Sequence, residues 1–287
     1  MIKLFAFILS LTIISTQALA FPLPTREQAE LARQLQFTPA NILSAYDFEG
    51  IVALSNCSGS LVRFETSRET DFAMILTNGH CLQGGFLKPG QVIYNVPAKR
   101  SFQLFHSNLE NAGNLTSSHI LYATMTGTDM ALYKLNESYA DIYARTKVRP
   151  LVIDSNRATK SSPIEVISGY WKKGYSCNIE RFIYMLEEAG WLFTDSIRYS
   201  RPGCETIGGT SGSPIVNSIT RKVIGVNNTG NESGQSCTMN NPCEVDENGN
   251  KTVHRGVSYG QQVYWVYSCL TENNEIDLSQ TGCLLPQ

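Results

Sequence analysis

The sequence is short of several things, and each shortage closes off a class of function. Charge of one sign is missing: 23 Lys+Arg stand against 25 Asp+Glu for a formal net charge of −2. With the signs interspersed there is no basic face for a nucleic-acid backbone and no acidic tail, so nucleic acid is not an expected partner. The eight cysteines include no C-x-x-C pair, the spacing that zinc sites favour, and neither a metal nor a cofactor is expected. Beyond Ile14 no apolar run approaches the roughly 20 residues that a membrane-spanning helix needs. Internal repeats and low-complexity tracts are absent. Histidine is scarce, with four in the chain, so a catalytic histidine has few candidates.

What is present begins with an address. Lys3, an apolar run from Leu4 to Ile14 broken only by Ser10 and Thr12, and the A-x-A ending Ala18-Leu19-Ala20 read as a secretory signal peptide over 1–20. The mature chain is expected to be secreted or periplasmic, with no membrane contact after cleavage. Cys57, Cys81, Cys177, Cys204, Cys237, Cys243, Cys269 and Cys283 suit four disulfides in an oxidising compartment. Cys237 and Cys243 are spaced for a small disulfide loop.

Residues 21–45 read as an N-terminal arm or pro-segment, with Thr25 as N-cap of a helix-like stretch. From Phe48 the pattern changes to short runs rich in β-branched and aromatic residues between glycine and asparagine turns, which predicts an all-β barrel or sandwich. Runs at 50–54, 60–64, 72–76, 91–95, 101–105, 119–126 and 130–135 form a first series. Those at 164–168, 196–199, 214–216, 223–226 and 253–259 form a second, after Arg149-Pro150. Two lobes follow, 46–148 and 149–287. Residues 178–191 fit either a helix or a hairpin, and 261–270 reads as a terminal helix.

Chemistry concentrates in Gly208-Gly209-Thr210-Ser211-Gly212-Ser213-Pro214. A serine among glycines can stand on a tight turn whose amides converge, which suits a nucleophile beside an oxyanion hole. Among His80, His106, His119 and His254, only His80 lies where an apolar strand enters a small-residue turn, Ile75-Leu76-Thr77-Asn78-Gly79-His80-Cys81, with a cysteine to pin it. It is the candidate general base. Asp129, just before the apolar run Met130-Ala131-Leu132-Tyr133, is the candidate acid to orient that base. Asp71, Asp141 and Asp154 lack such a setting and read as surface or turn residues.

In the order His80, Asp129, Ser211, the contexts L-T-N-G-H-C, D-M-A-L-Y-K-L and G-G-T-S-G-S-P resemble the trypsin-like (chymotrypsin-fold) serine endopeptidases over about residues 48–270. Asn56 to Val62 (N-C-S-G-S-L-V) looks like that family's C-G-G-S-L-I strand. The resemblance implies two six-stranded antiparallel Greek-key β-barrels with a short C-terminal helix, a Cys57–Cys81 disulfide, and hydrolysis of protein or peptide substrates through an acyl-enzyme. It also implies an oxyanion hole made by the amides of Gly209 and Ser211. By elimination, Cys177 then pairs with Cys204 and Cys269 with Cys283.

The nucleophile loop is closer to the G-N-S-G-S-P of bacterial glutamyl-endopeptidase-like enzymes than to the G-D-S-G-G-P of vertebrate digestive ones. Thr210 stands where the latter carry an aspartate that pairs with a new amino terminus, so activation by terminal insertion is not expected. By position, Glu205 and Thr206 reach the primary specificity pocket, and Asn228, Thr229 and Gly230 match the substrate-pairing strand. Glu205 favours Lys or Arg before the scissile bond; Thr206 matches a glutamyl-endopeptidase residue, but Asn227 stands in place of their histidine. Trp171, Trp191 and Trp265 read as packing residues. Six N-x-[ST] sequons occur, at Asn56, Asn114, Asn136, Asn227, Asn231 and Asn250. Glycans at Asn227 or Asn231 would crowd the cleft, so a bacterial source that leaves them bare is expected. A monomer is expected. The competing reading is a catalytically silent binding or adhesion protein on the same fold.

Overall fold

The computed structural model describes residues 46–287. The expected signal peptide and the arm at 21–45 lie outside the described residues. The first series of runs becomes β1 (Ile51–Ala53), β2 (Ser58–Arg63), β3 (Phe72–Thr77), β4 (Val92–Pro97), β5 (Ser101–Phe105), β6 (Asn111–Thr124) and β7 (Met130–Ser138). Strands β1, β5, β6, β7, β3 and β2 pair in that order, all antiparallel, and Ile51 opposite Ser60 closes the ring between β1 and β2. Closure leaves no unpaired edge within the ring. Alternate residues point inward, so Val52, Leu61, Ile75, Phe102, Leu115 and Tyr133 fill the barrel. Each such side chain contributes about 1.5–3 kcal/mol on burial.

The second series becomes β9 (Pro163–Ser168), β10 (Lys173–Glu188), β11 (Trp191–Tyr199), β12 (Pro214–Asn217), β13 (Val223–Gly230), β14 (Cys243–Val245), β15 (Lys251–Thr252) and β16 (Ser258–Gln262). Strands β11, β16, β13, β12, β9 and β10 form a second ring, closed where β10 pairs with β11. Ile164, Val166, Ile179, Ile197, Ile215 and Ile224 fill it. A third apolar cluster, including Ile51, Phe64 and Leu132 from the first series and Ile167, Val216 and Val223 from the second, joins the rings.

Some elements differ from expectation. The ambiguous stretch 178–191 is a hairpin, because eight residue pairs from Ile179–Tyr199 to Glu188–Trp191 align across β10 and β11. The terminal helix is shorter and of 3-10 type, Tyr264–Cys269, because Gln261 and Gln262 are taken up by β16 pairing with β13. The second-series run at 253–259 is displaced, its strand being Ser258–Gln262. Helix α1 (Tyr139–Thr146) was not anticipated: Ser138 and Asp141 form a reciprocal capping box, so Asp141 is a cap rather than a loose surface charge. Strand β8 (Leu151–Val152) pairs parallel with β2, although it follows the Arg149-Pro150 boundary.

Candidate active site

The base side is built at the end of β3. The chain turns through Asn78 into a short 3-10 segment, Gly79–Cys81, that carries His80. Only glycine fits before it, since a Cβ on Gly79 would lie 2.1 Å from the Thr124 carbonyl oxygen. Asp129, 1% exposed, stands at the mouth of β7. Its Oδ1 accepts from the His80 backbone N–H at 3.1 Å, and its Oδ2 faces His80 Nδ1 at 2.6 Å. The Asn78 amide holds the Asp129 carbonyl at 2.7 Å. Behind them the Cys57–Cys81 disulfide ties the loop to β2, and Arg100 donates to the Cys81 carbonyl and to Asn56 Oδ1, both at 2.7 Å.

Burial alone would lower the His80 imidazole. The Asp129 charge and hydrogen bond, with a further contribution from Glu188, outweigh it, so His80 is raised above its ordinary 6.5. Its Nδ1–H donates to Asp129, which leaves Nε2 to meet a nucleophile.

The serine side is built by the turn between Gly208 and β12. Gly212 has φ of +79°, and a Cβ there would lie 2.2 Å from both the Ser58 carbonyl oxygen and Thr77 Oγ1, so glycine is required. That contact presses the turn onto the first barrel, where the Ser58 N–H donates to the Ser211 carbonyl at 2.8 Å. Asn227 on β13 takes the Gly212 N–H at 3.0 Å and gives its own to Ser213 at 2.8 Å. Thr210, 1% exposed, sits beneath. Its hydroxyl donates to the Ile207 carbonyl and accepts from Asn227 Nδ2 at 3.2 Å, and Asn227 Oδ1 accepts from the Tyr199 hydroxyl at 3.1 Å. The chain Tyr199–Asn227–Thr210–Ile207 is neutral throughout.

Trp171 has a part that its sequence reading as a packing residue missed. It is about half exposed, and its indole N–H donates to the Gly208 carbonyl at 2.7 Å. A peptide is planar and trans, so a Gly208 carbonyl turned toward Trp171 sends the Gly209 N–H the opposite way. Among the described residues, neither the Gly209 nor the Ser211 N–H is engaged by a protein acceptor. Ser211 Oγ donates to the Asn228 carbonyl at 3.3 Å and makes no hydrogen bond to His80.

His80, Asp129 and Ser211 line one cleft of about 210 Å³, together with Glu205, Thr206, Asn228, Thr229 and Gly230. The Thr206 N–H is fixed by Ser258 Oγ at 3.1 Å. Glu205 is not the free acid that its position suggested. Its carboxylate is 42% exposed, pairs with Arg201 at 3.2 Å and accepts the Gly203 N–H at 2.9 Å. That backbone bond, then Arg201, hold it below the usual range. Glu188, Phe86 and Trp191 also line the cleft. Nothing in the sequence marked Glu188, because its burial comes from the β10–β11 hairpin. Trp191 donates its indole N–H to the Leu87 carbonyl at 2.8 Å. His106, His119 and His254 lie outside the cleft. The remaining cysteines pair as Cys177–Cys204, Cys237–Cys243 and Cys269–Cys283, and no described cysteine is free.

A serine hydroxyl, an imidazole held by a buried carboxylate and two free amides are the kinds of group that acyl transfer uses. No curated protein matches the sequence. Among solved structures, the chain is similar to the MamO protease domain of Magnetospirillum magneticum, with a TM-score of 0.47 and 11% identity over 79% of this chain and 98% of that one. It is also similar to the thermostable serine protease AL20 of an extremophilic microorganism, with a TM-score of 0.42 and 15% identity over 78% and 93%. Nocardiopsis protease gives a TM-score of 0.41 and 13% identity over 75% and 92%. The family model described as "Trypsin-like peptidase domain" matches residues 57–226, more than half of the chain and a span holding His80, Asp129 and Ser211. The chain therefore belongs to the trypsin-like peptidase domain family and is a serine endopeptidase.

Proposed function

We propose that Ser211 is the nucleophile, His80 the general base and acid, and Asp129 the group that orients His80, acting on protein or peptide substrates. The observation that carries this reading is the 2.6 Å contact of His80 Nδ1 with buried Asp129 in the cleft that holds Ser211. On substrate binding, Ser211 Oγ leaves the Asn228 carbonyl and gives its proton to His80 Nε2 as it bonds to the scissile carbon. The carbonyl oxygen takes the charge and is met by the Gly209 and Ser211 N–H groups. His80 then returns the proton to the leaving amine, and water repeats the sequence on the acyl-enzyme.

A fluorophosphonate should label the native protein on Ser211 and leave Ser211→Ala untouched; labelling of that variant would overturn the assignment. A silent binding protein, the alternative, would show no label in either form.

The same reading covers export, with 1–20 removed and 21–45 as an arm or pro-segment, a monomer, and two lobes meeting near 149. Four disulfides support an oxidising compartment, and among the described residues no helix is long and apolar enough to cross a membrane. The neutral chain beneath Thr210 supports a serine loop that needs no inserted amino terminus. For the residue before the scissile bond, a Lys or Arg preference would rest on Glu205. Arg201 already neutralises that acid, so any such preference is a few-fold at most. Cleavage of matched peptides after Lys, Arg and Glu tests it.

A further inference from the structure

The cleft contains a carboxylate that the mechanism leaves unused. Glu188 ends β10 and is 7% exposed. Its neighbour Glu187 points to the other face of the strand and pairs with Lys251 at 2.7 Å. Glu188 accepts the Asn240 N–H at 2.7 Å, but among the described residues it has no lysine or arginine partner. Among the described residues no lysine or arginine lines the cleft, whereas Glu188, Glu205 and Glu232 do. Burying a carboxylate without a countercharge costs several kcal/mol in general. Desolvation accordingly raises Glu188 above its ordinary 4.5, against the opposing pull of Thr229, Asn240 and His80.

The walls beside it are aromatic. The half-exposed Phe86 ring stands edge-on to His80 and to Trp191, 5.8 Å from each, and both rings face the same cleft as Glu188. A carboxylate next to accessible aromatic rings suits an organic cation, which the acid attracts by charge and the rings by their electron-rich faces. Glu188 also feels Thr229 and His80 directly. Thr229 belongs to the strand end expected to pair with substrate residues upstream of the scissile bond, while Glu205 and Thr206 attend the residue at the bond itself.

We infer that Glu188, walled by Phe86 and Trp191, is a second specificity subsite that takes the ammonium or guanidinium of a substrate lysine or arginine lying upstream of the residue held beside Thr206. This rests on the proposed role of Ser211. A bound cation supplies the countercharge that the protein withholds, so basic substrates gain and neutral ones do not.

The test uses the full secreted protein and peptides that share one residue before the scissile bond, with each further upstream residue set in turn to Lys, Arg, norleucine or Gln. At a single upstream position, Lys and Arg should exceed norleucine in kcat/KM by about tenfold or more, equivalent to about 1.4 kcal/mol. Glu188→Gln should bring that ratio to about one, while Glu272→Gln, an exposed acid outside the cleft, should keep it. Should Glu188→Gln not fold, Phe86→Leu, which alters a half-exposed wall, should reduce the ratio. Cleavage without any upstream preference, or a preference unchanged in Glu188→Gln and Phe86→Leu, overturns the subsite and leaves the Ser211 reading standing. No cleavage together with no fluorophosphonate label overturns both.

Discussion

The two barrels hold their halves of the proposed catalytic site by different means. In the first, His80 is fixed by charge and covalent bonds: a buried carboxylate against its ring, a disulfide at the next residue and an arginine clamping the loop. In the second, Ser211 is fixed by neutral hydrogen bonds through Thr210, Asn227 and Tyr199, with Trp171 drawing the Gly208 carbonyl aside. The first half is closed, at 2.6 Å. The second is still open, since Ser211 Oγ rests on Asn228. As the proposed base, His80 would change charge during the reaction and needs an ionic partner, whereas the loop of the proposed nucleophile must only keep its shape. Thr210 and Asn227 do not titrate, and burial holds the Tyr199 phenol well above its ordinary 10.0, so the loop keeps that shape across the neutral range.

The sharpest break in this comparison is Ser211→Ala, which should lower peptide hydrolysis by at least about 10⁴-fold while thermal melting stays that of the native protein. Asp129→Asn should lower kcat by about 10⁴-fold, because the asparagine no longer favours the tautomer with Nε2 free; stopped assays against one peptide would read it.

On the serine side, Thr210→Val removes a hydroxyl that both donates and accepts. It should cost about 10- to 100-fold in kcat with little change in KM, and Thr210→Ser should recover most of that. An equal loss in both variants would mean that the neutral chain does not shape the loop. Native kcat/KM should rise through a midpoint above pH 6.5, because His80 must be neutral to act and its pKa is raised. Glu188→Gln removes one of the charges that raise it, so the midpoint should move to lower pH. The smallest effect belongs to Glu205→Gln, a few-fold change in cleavage after Lys or Arg.

Much of this was legible because each proposed catalytic residue sits in a short stretch that explains it. His80 follows an apolar strand and precedes a cysteine, Asp129 opens another strand, and Ser211 lies among glycines, so the strands that form both rings also deliver these residues to one cleft. Glu205 and Glu188 mark where such reading ends. Glu205 looked like a pocket acid by its distance from Ser211, yet the turn after Arg201 folds that guanidinium back onto it. Glu188 stands in Leu-Glu-Glu-Ala-Gly-Trp with no local signal to set it apart from Glu187. Which of the two adjacent glutamates faces inward depends on the register of β10 against β11 and β14, a long-range pairing that no local pattern reports. The capping box at Ser138 and Asp141 was available in sequence and was masked by the strand pattern leading into it.

The asparagines that organise the site also bear on where the protein can be made. The Asn227 side-chain nitrogen is committed to Thr210, that of Asn231 to the Gln235 and Pro242 carbonyls, and that of Asn56 to the Cys81 carbonyl. In each sequon this is the atom to which an N-linked sugar would attach. Asn114 and Asn136 are exposed and would tolerate one, whereas the side-chain nitrogen of exposed Asn250 donates to Asp246 Oδ2 at 2.9 Å. A secretory pathway that glycosylates chains before they fold would therefore decorate two sites harmlessly and disturb the other four. Export through a pathway without that modification leaves every one of these amides free to complete the fold.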